Sequence, residues 1–170
     1  MLALIIGCAG SGKSAYAEAF IQRLAKERIY LATMEARDPE SVLRIQRHRE
    51  QRSGAGFDTL ECGHGLDRLR LPVGTAVLLE DLSNLLANEL YGRKGGGAAA
   101  VRRGLDHLLE NCGHLVVVSN EVFSDGEEYT VETQRYMQEL ALLNRELAER
   151  ADLVVEVICG LPNVLKGELS

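Results

Sequence analysis

Four residues near the start of the chain have the types and spacing of a phosphate-binding loop. Gly7, Gly12, Lys13 and Ser14 lie in "GCAGSGKS" and fit the pattern G-x-x-x-x-G-K-[ST]. Glycines let the backbone curl so that successive N–H groups point at phosphate oxygens. The lysine would reach the β- and γ-phosphates, and the serine hydroxyl would coordinate magnesium. We therefore expect a nucleotide to be held by Gly7, Cys8, Ala9, Gly10, Ser11, Gly12, Lys13 and Ser14, the alternative being a glycine-rich turn without a ligand.

Two adjacent carboxylates, Glu80 and Asp81, follow the apolar run "AVLL". A carboxylate at the end of a second buried strand can hold magnesium directly or through water. The alternative is that one of the pair only caps the helix that follows. Both roles can be filled at once, and we favour Glu80 as the residue that holds the metal with Ser14.

A basic segment, "RIQRHREQR", contains a single histidine. Arg44, His48 and Arg52 are spaced four residues apart and would share one face of a helix, with Arg47 and Arg49 beside the histidine. Such a cluster attracts a phosphorylated ligand, and nearby positive charge keeps an imidazole neutral and nucleophilic. A neutral imidazole can attack phosphorus and carry a nucleotide covalently. The spacing alone, however, favours a solvated basic helix with an incidental histidine.

The remaining histidines and the cysteines have no comparable setting. We interpret His64, His107 and His114 as structural. The cysteines are far apart and form no CxxC pair, which argues against a zinc site and a disulfide framework. We therefore expect reduced thiols in a cytoplasmic protein at Cys8, Cys62, Cys112 and Cys159.

The elements that must position these residues alternate between strands and helices. Strands are predicted at residues 2–6, "RIYLAT", "DTLEC", "TAVLLED", "HLVVVSNE" and "LVVEVICG", with a possible antiparallel edge strand in "LPNVLKGELS". Helices are predicted at residues 14–28, 39–52, "SNLLANELY", 98–111 and 133–151, with loops at "GRKGGG" and "FSDGEEYT". Alternation of this kind predicts an α/β fold with a mostly parallel sheet flanked by helices. With no internal repeat and no linker, residues 1–170 are predicted to form a single domain.

Composition limits the possible partners. The net charge of −6 over 170 residues argues against an extended nucleic-acid surface. No apolar run is long enough to span a bilayer, so we expect no membrane segment. The opening apolar run is short and lacks preceding basic residues, so we predict no signal peptide.

Six segments taken together resemble one enzyme family. They are "GCAGSGKS", "YLAT", "RIQRHREQR", "LLEDLSNLLANEL", "VVVSNEV" and "LNRELAERADLVVEVICGLPNVLKG". In this order they resemble the bifunctional adenosylcobinamide kinase/adenosylcobinamide-phosphate guanylyltransferases of cobalamin biosynthesis. The resemblance implies a RecA-like P-loop NTPase fold, a homotrimer, and a corrinoid and a nucleotide as substrates. It also implies two reactions: phosphorylation of adenosylcobinamide by ATP or GTP, then transfer of GMP from GTP to that phosphate, giving adenosylcobinamide-GDP.

The same resemblance assigns roles to individual residues. It implies that His48 carries the guanylyl group as a phosphoramidate, which favours the covalent role over the solvated helix. Lys13 and Ser14 correspond to phosphate and Mg²⁺ binding, and Glu80 to the acidic residue after the buried strand. The predicted nucleotide-binding set is completed by Arg49, Arg52 and Glu61.

One segment departs from the family pattern. Many members of the family have a glycine- and proline-containing stretch after "NEV", whereas this chain has "FSDGEEYTVETQRY", with acidic residues at Asp125, Glu127 and Glu128. Position 47 is arginine where some relatives have a second histidine, which leaves His48 as the candidate nucleophile of this segment. Two alternatives therefore stay open: a P-loop kinase for another small molecule, and a nucleotide-binding regulator without transfer activity.

Overall fold

The computed structural model describes residues 1–35, 42, 43, 46, 56–122 and 129–168. Its strands are β1 (Leu2–Gly7), β2 (Arg28–Ala32), β3 (Asp58–Glu61), β4 (Ala76–Glu80), β5 (His114–Asn120), β6 (Leu153–Ile158) and β7 (Leu161–Lys166). Its helices are α1 (Lys13–Leu24), α2 (Leu82–Tyr91), α3 (Gly97–Asn111) and α4 (Val131–Arg150), with a short 3₁₀-helix at Leu66–Arg68. In these residues, no helix combines the length and the apolar character needed to cross a membrane.

The strands form one sheet in the order β3-β2-β4-β5-β1-β6-β7. All neighbouring pairs are parallel except β6 and β7, which are antiparallel. The predicted α/β architecture and the antiparallel strand at the C-terminal edge are both confirmed. β1 lies inside the sheet, hydrogen-bonded to β5 on one side and β6 on the other.

Consecutive side chains of each inner strand are buried on opposite faces of the sheet. In β1, Leu2 and Leu4 pack toward α2, α3 and α4, whereas Ala3 and Ile5 pack toward α1. Because helices cover both faces, an inner strand has no polar face, which explains the continuous apolar runs in the sequence. Burial of each large aliphatic side chain contributes about 1.5–3 kcal/mol.

Element boundaries differ from the predictions in places. The first helix ends at Leu24 rather than continuing to residue 28, because Ala25 is already extended and Arg28 begins β2. The 3₁₀-helix was not predicted; it buries Leu66 against Gly104 of α3. The predicted helix at 39–52 lies largely outside the described residues, of which Val42, Leu43 and Gln46 are helical.

The parallel strands bring the predicted polar residues to one edge. β1, β3 and β4 end at Gly7, Glu61 and Glu80, and β5 ends at Asn120. Ligands of open α/β sheets bind at the carboxyl ends of the strands, where strand order creates a crevice. The fold therefore places the phosphate-loop residues and the acidic residues at the same edge.

Candidate nucleotide-binding site

The glycine-rich loop connects β1 to α1 through residues that only glycine fits. Gly12 has a φ of 89°, and a side chain there would lie 3.2 Å from the Cα atom of Gly160. A side chain at Gly7 would lie 2.6 Å from Ser11 Oγ and 2.7 Å from the carbonyl oxygen of Val157. The turn between β6 and β7 also contacts the loop directly, because the Gly160 N–H donates to the Ser11 carbonyl oxygen at 2.8 Å. The loop is therefore held in place from the β6 side of β1.

The N-terminus of α1 opens toward this loop. Gly12 is its N-cap residue and provides no side-chain hydrogen bond, so the N–H groups of the first turn are open to an anionic ligand. Lys13 is buried, and its Nζ atom donates to the Cys8 carbonyl oxygen at 3.2 Å. The ammonium group thus lies folded back over the loop, where it can meet phosphate oxygens.

Ser14 and Glu80 come together although 66 residues separate them. The Ser14 hydroxyl donates to Glu80 Oε1 at 2.7 Å. The other carboxylate oxygen, Glu80 Oε2, is buried and has no hydrogen-bond partner among the residues that the structure describes. A carboxylate oxygen without a hydrogen-bond partner, next to a hydroxyl, offers oxygen ligands of the kind that Mg²⁺ prefers.

The electrostatics of Glu80 follow from its position at the floor of the crevice. Burial raises its pKa to about 7, and the neighbouring Asp81 charge adds to the rise. The Ser14 hydrogen bond and the Lys13 ammonium partly offset both effects. A carboxylate in this state binds a cation in competition with a proton, so cation binding and deprotonation are coupled there.

Asp81 has a different role from its neighbour. It is the N-cap of α2, and its Oδ1 atom accepts from the Asn84 N–H at 2.7 Å. Burial raises the pKa of Asp81, and the hydrogen bond from Asn84 opposes that rise. The expectation that one of the two carboxylates caps the following helix is confirmed.

A pocket of about 890 Å³ lies over the loop. Of the predicted nucleotide-binding residues, those from Ala9 to Ser14 line it, and so do Glu61 and Glu80. Gly7 ends β1 and Cys8 begins the loop, and their placement supports the loop rather than forming the pocket wall. The volume is within the range of small-molecule sites. His48, Arg49 and Arg52 lie outside the described residues, so their predicted roles stay predictions.

Two polar residues of this site were not selected from the sequence. Thr33, which is fully buried, donates its hydroxyl to the carbonyl oxygens of Glu80 and Asp81 and accepts from the Asp81 N–H at 2.8 Å. Asn120 lines the pocket and donates to Ser83 Oγ at 2.9 Å. Thr33 directly follows β2 and Asn120 is the last residue of β5, so polar residue types at the ends of apolar strands are the sequence signal for both.

Comparison with known proteins identifies the family. The family described as "Cobinamide kinase / cobinamide phosphate guanyltransferase" matches residues 3–165. The "Bifunctional adenosylcobalamin biosynthesis protein CobP" of Pseudomonas aeruginosa is 34% identical over 172 residues, covering 97% of each chain. The "Bifunctional adenosylcobalamin biosynthesis protein CobU" of Salmonella typhimurium is 34% identical over 181 residues, covering 95% of this chain and 97% of the relative.

A solved structure supports the fold separately. The crystal structure of the RadB recombinase aligns with a TM-score of 0.51 at 18% identity, over 91% of this chain and 73% of that chain. At that identity the likeness concerns architecture alone, and it agrees with the RecA-like P-loop fold expected from the sequence.

Proposed function

The chain belongs to the cobinamide kinase / cobinamide phosphate guanyltransferase family of cobalamin biosynthesis, whose members are kinases and nucleotidyltransferases, and from this premise we propose which residues perform the two transfers. The observation that carries the proposal is the convergence of Lys13, Ser14 and Glu80 in one pocket at the N-terminus of α1. A nucleoside triphosphate bound there would place its phosphates against the loop N–H groups and the Lys13 ammonium.

In the kinase step, ATP or GTP donates its terminal phosphoryl group to the aminopropanol hydroxyl of adenosylcobinamide. Lys13 would neutralise charge on the phosphate oxygens, and the loop would hold the triphosphate in line with the hydroxyl. Ser14 and Glu80 would hold Mg²⁺, for which the orphaned Glu80 Oε2 atom and the adjacent hydroxyl are suitable ligands. When bound, the metal would supply charge neutralisation to the phosphates.

In the guanylyl step, we propose that His48 carries the nucleotide. An imidazole nitrogen attacks the α-phosphorus of GTP; a P–N bond forms, and the P–O bond to pyrophosphate breaks. A phosphate oxygen of adenosylcobinamide phosphate then attacks the same phosphorus, which breaks the P–N bond and gives adenosylcobinamide-GDP. Arg49 and Arg52 would hold phosphate oxygens during both transfers, and Glu61, at the rim of the pocket, would contact the nucleotide.

An isotope experiment tests the histidine intermediate. We expect protein incubated with GTP labelled at the α-phosphate to retain label that is labile to acid and stable to base. A His48→Ala variant should lose this label and keep nucleotide binding. His114→Ala is the matched control, because His114 begins β5 at the amino edge of the sheet, opposite the site.

The outcomes distinguish the candidate functions. Absence of label in the unmodified protein would overturn the covalent mechanism. Phosphorylation of a different small molecule without label would favour a P-loop kinase, and nucleotide binding without any transfer would favour a regulator. The departure of residues 123–136 from the family pattern is the feature that motivates that last alternative.

Two further properties belong to the proposal. We propose a homotrimer, as in the family that the sequence resembles. We also propose a cytoplasmic location, which is supported by four unpaired cysteines, since disulfides are rare in that compartment.

A further inference from the structure

A second pocket of about 360 Å³ lies next to the nucleotide pocket. Its walls are Glu35, His64, Asn88 and the loop from Gly92 to Gly95, which includes Arg93 and Lys94. Met34 lines the nucleotide pocket and Glu35 lines the second one, so the two pockets share the chain segment after β2 as a wall. None of the roles proposed above uses this pocket.

The loop presents two positive charges from a tight turn. The Gly95 N–H donates to the Gly92 carbonyl oxygen at 3.0 Å, which puts Arg93 and Lys94 at the two central positions. A side chain at Gly92 or Gly95 would collide with backbone carbonyl oxygens near the end of α2. Both cations are exposed, and within the described part of the chain neither makes a hydrogen bond or an ion pair.

Two buried polar side chains fix the pocket walls relative to each other. Glu89, 3% exposed, accepts from the Gly65 N–H and the Gly96 N–H, each at 2.7 Å, and so ties the loop after β3 to the cationic turn. Asn88, 6% exposed, donates to the carbonyl oxygens of Thr33 and Gly63 at 2.8 and 3.0 Å. The hydrogen bonds of Glu89 and Asn88 therefore hold the walls of the pocket in fixed positions.

The charge of the lining favours an anion. Arg93 and Lys94 are positive. Among the described lining residues, Glu35 is the single carboxylate, and it is directed at His64, whose Nδ1 atom lies 3.2 Å away. The carboxylate of Glu89 is engaged by backbone N–H groups. The chain as a whole has a net charge of −6, so this positively charged pocket differs in sign from the protein as a whole.

We propose that the second pocket binds the phosphate group of the phosphorylated acceptor, adenosylcobinamide phosphate, during the guanylyl step. The inference rests on the proposed function and assigns it an acceptor subsite. A phosphate monoester dianion makes strong charge-assisted contacts with an Arg and Lys pair. A volume of about 360 Å³ accommodates a phosphate and its short alkyl linker, whereas the corrin ring would remain outside.

Binding measurements test this subsite without requiring turnover. We would titrate adenosylcobinamide phosphate and adenosylcobinamide into the unmodified protein and into the double variant Arg93→Ala/Lys94→Ala. We expect the unmodified protein to bind the phosphorylated acceptor about tenfold more tightly, as one or two charge-assisted contacts allow. The double variant should bind both acceptors within about twofold of each other.

Two control variants separate this effect from a general loss of charge or fold. Arg23→Ala/Lys26→Ala removes two cations near the end of α1, away from the pocket, and should keep the preference for the phosphorylated acceptor. Arg93→Lys/Lys94→Arg retains both positive charges and should keep most of the preference for the phosphorylated acceptor.

A titration with a non-hydrolysable GTP analogue separates the two possible sources of phosphate. The analogue should bind the Arg93→Ala/Lys94→Ala variant and the unmodified protein equally. If the double variant instead loses affinity for the analogue and keeps its acceptor preference, the pocket holds a triphosphate and the proposal is wrong. Equal binding of both acceptors by the unmodified protein would also overturn it. Binding of neither acceptor would contradict the proposed function itself.

Discussion

Adjacent residues at the end of β4 divide two tasks between them. Glu80 accepts from Ser14, and its other, buried oxygen has no partner among the described residues. The Asp81 carboxylate instead accepts from the Asn84 N–H in the first turn of α2. Thr33 hydrogen-bonds to the backbone of both and fixes the direction of each side chain. A buried carboxylate with an orphaned oxygen costs stability in the absence of a ligand, which is the usual condition of a binding site.

The raised pKa of Glu80 predicts the pH dependence of stability in the protein free of nucleotide and magnesium. Because the pKa rises from 4.5 to about 7 on folding, the folded state binds more protons between those values. The free energy of unfolding therefore falls as pH rises through this window, by up to roughly 3 kcal/mol from this group. Glu80→Gln should remove that loss. In urea denaturation, the free energy of unfolding of the variant should therefore rise relative to that of the unmodified protein between pH 5 and pH 8.

Glu149→Gln serves as the control for this prediction, since Glu149 is an exposed carboxylate on α4. It should leave the pH profile unchanged. Parallel pH profiles for Glu80→Gln and the unmodified protein would contradict the assigned pKa.

The position of Lys13 predicts a selective loss of nucleotide affinity. Its ammonium lies over the loop, so Lys13→Ala should weaken binding of a non-hydrolysable GTP analogue by about 10- to 100-fold, the worth of one charged contact. The rise in melting temperature with added analogue should shrink accordingly. Lys26→Ala removes an exposed lysine instead, and an equal effect from it would show that only net charge matters.

At the scale of elements, contacts with small residues set how the layers pack. Glycine inside a helix costs about 1 kcal/mol relative to alanine, yet α3 contains Gly104 at its centre. A side chain at this position would lie 2.7 Å from Leu66 Cβ, and Leu66 is 1% exposed. The glycine therefore lets the 3₁₀-helix bury its leucine against α3.

We expect Gly104→Val to lower the free energy of unfolding by about 1–3 kcal/mol, because the added methyl groups overpack the contact with Leu66. Chemical denaturation measures this change directly. Ala99→Val, on the exposed face of the same helix, should shift stability by about 0.5 kcal/mol or less. Because helix propensity alone favours valine over glycine, a Gly104→Val variant as stable as the unmodified protein would contradict overpacking at this contact.

At the scale of the whole molecule, features contained in short stretches of sequence could be predicted, whereas features that depend on which strands are neighbours in the sheet could not. The motif at Gly12 to Ser14, the apolar strands and the carboxylate of Glu80 are readable within short windows, and the structure brings them together. The roles of Thr33 and Asn88 depend on β2 pairing with β4, so that Ala32 lies opposite Glu80. Strand order is a long-range property that no short window contains. The histidine segment at 39–52 remains a prediction.

The proposed assembly is also a property of the whole molecule. The edge strand β7 is exposed along its length, and Leu161 and Leu165 are 71% and 55% exposed. Such apolar side chains are commonly covered in an oligomer. Light scattering coupled to size-exclusion chromatography should give three times the mass of the chain, and a single-chain mass would refute the homotrimer.

The hydrogen bond between Gly160 and Ser11 affects when, during synthesis, the loop after β1 can reach its final structure. β1 is synthesised before its partners β5 and β6, which begin more than a hundred residues further along the chain. The Ser11 carbonyl oxygen therefore gains this hydrogen bond only after Gly160 has been synthesised. Pairing across such sequence distances is slow, since the loop-closure entropy is lost before the contacts form. A nascent chain that ends before Gly160 lacks this hydrogen bond, so we expect the nucleotide-binding loop to reach its final geometry late in translation.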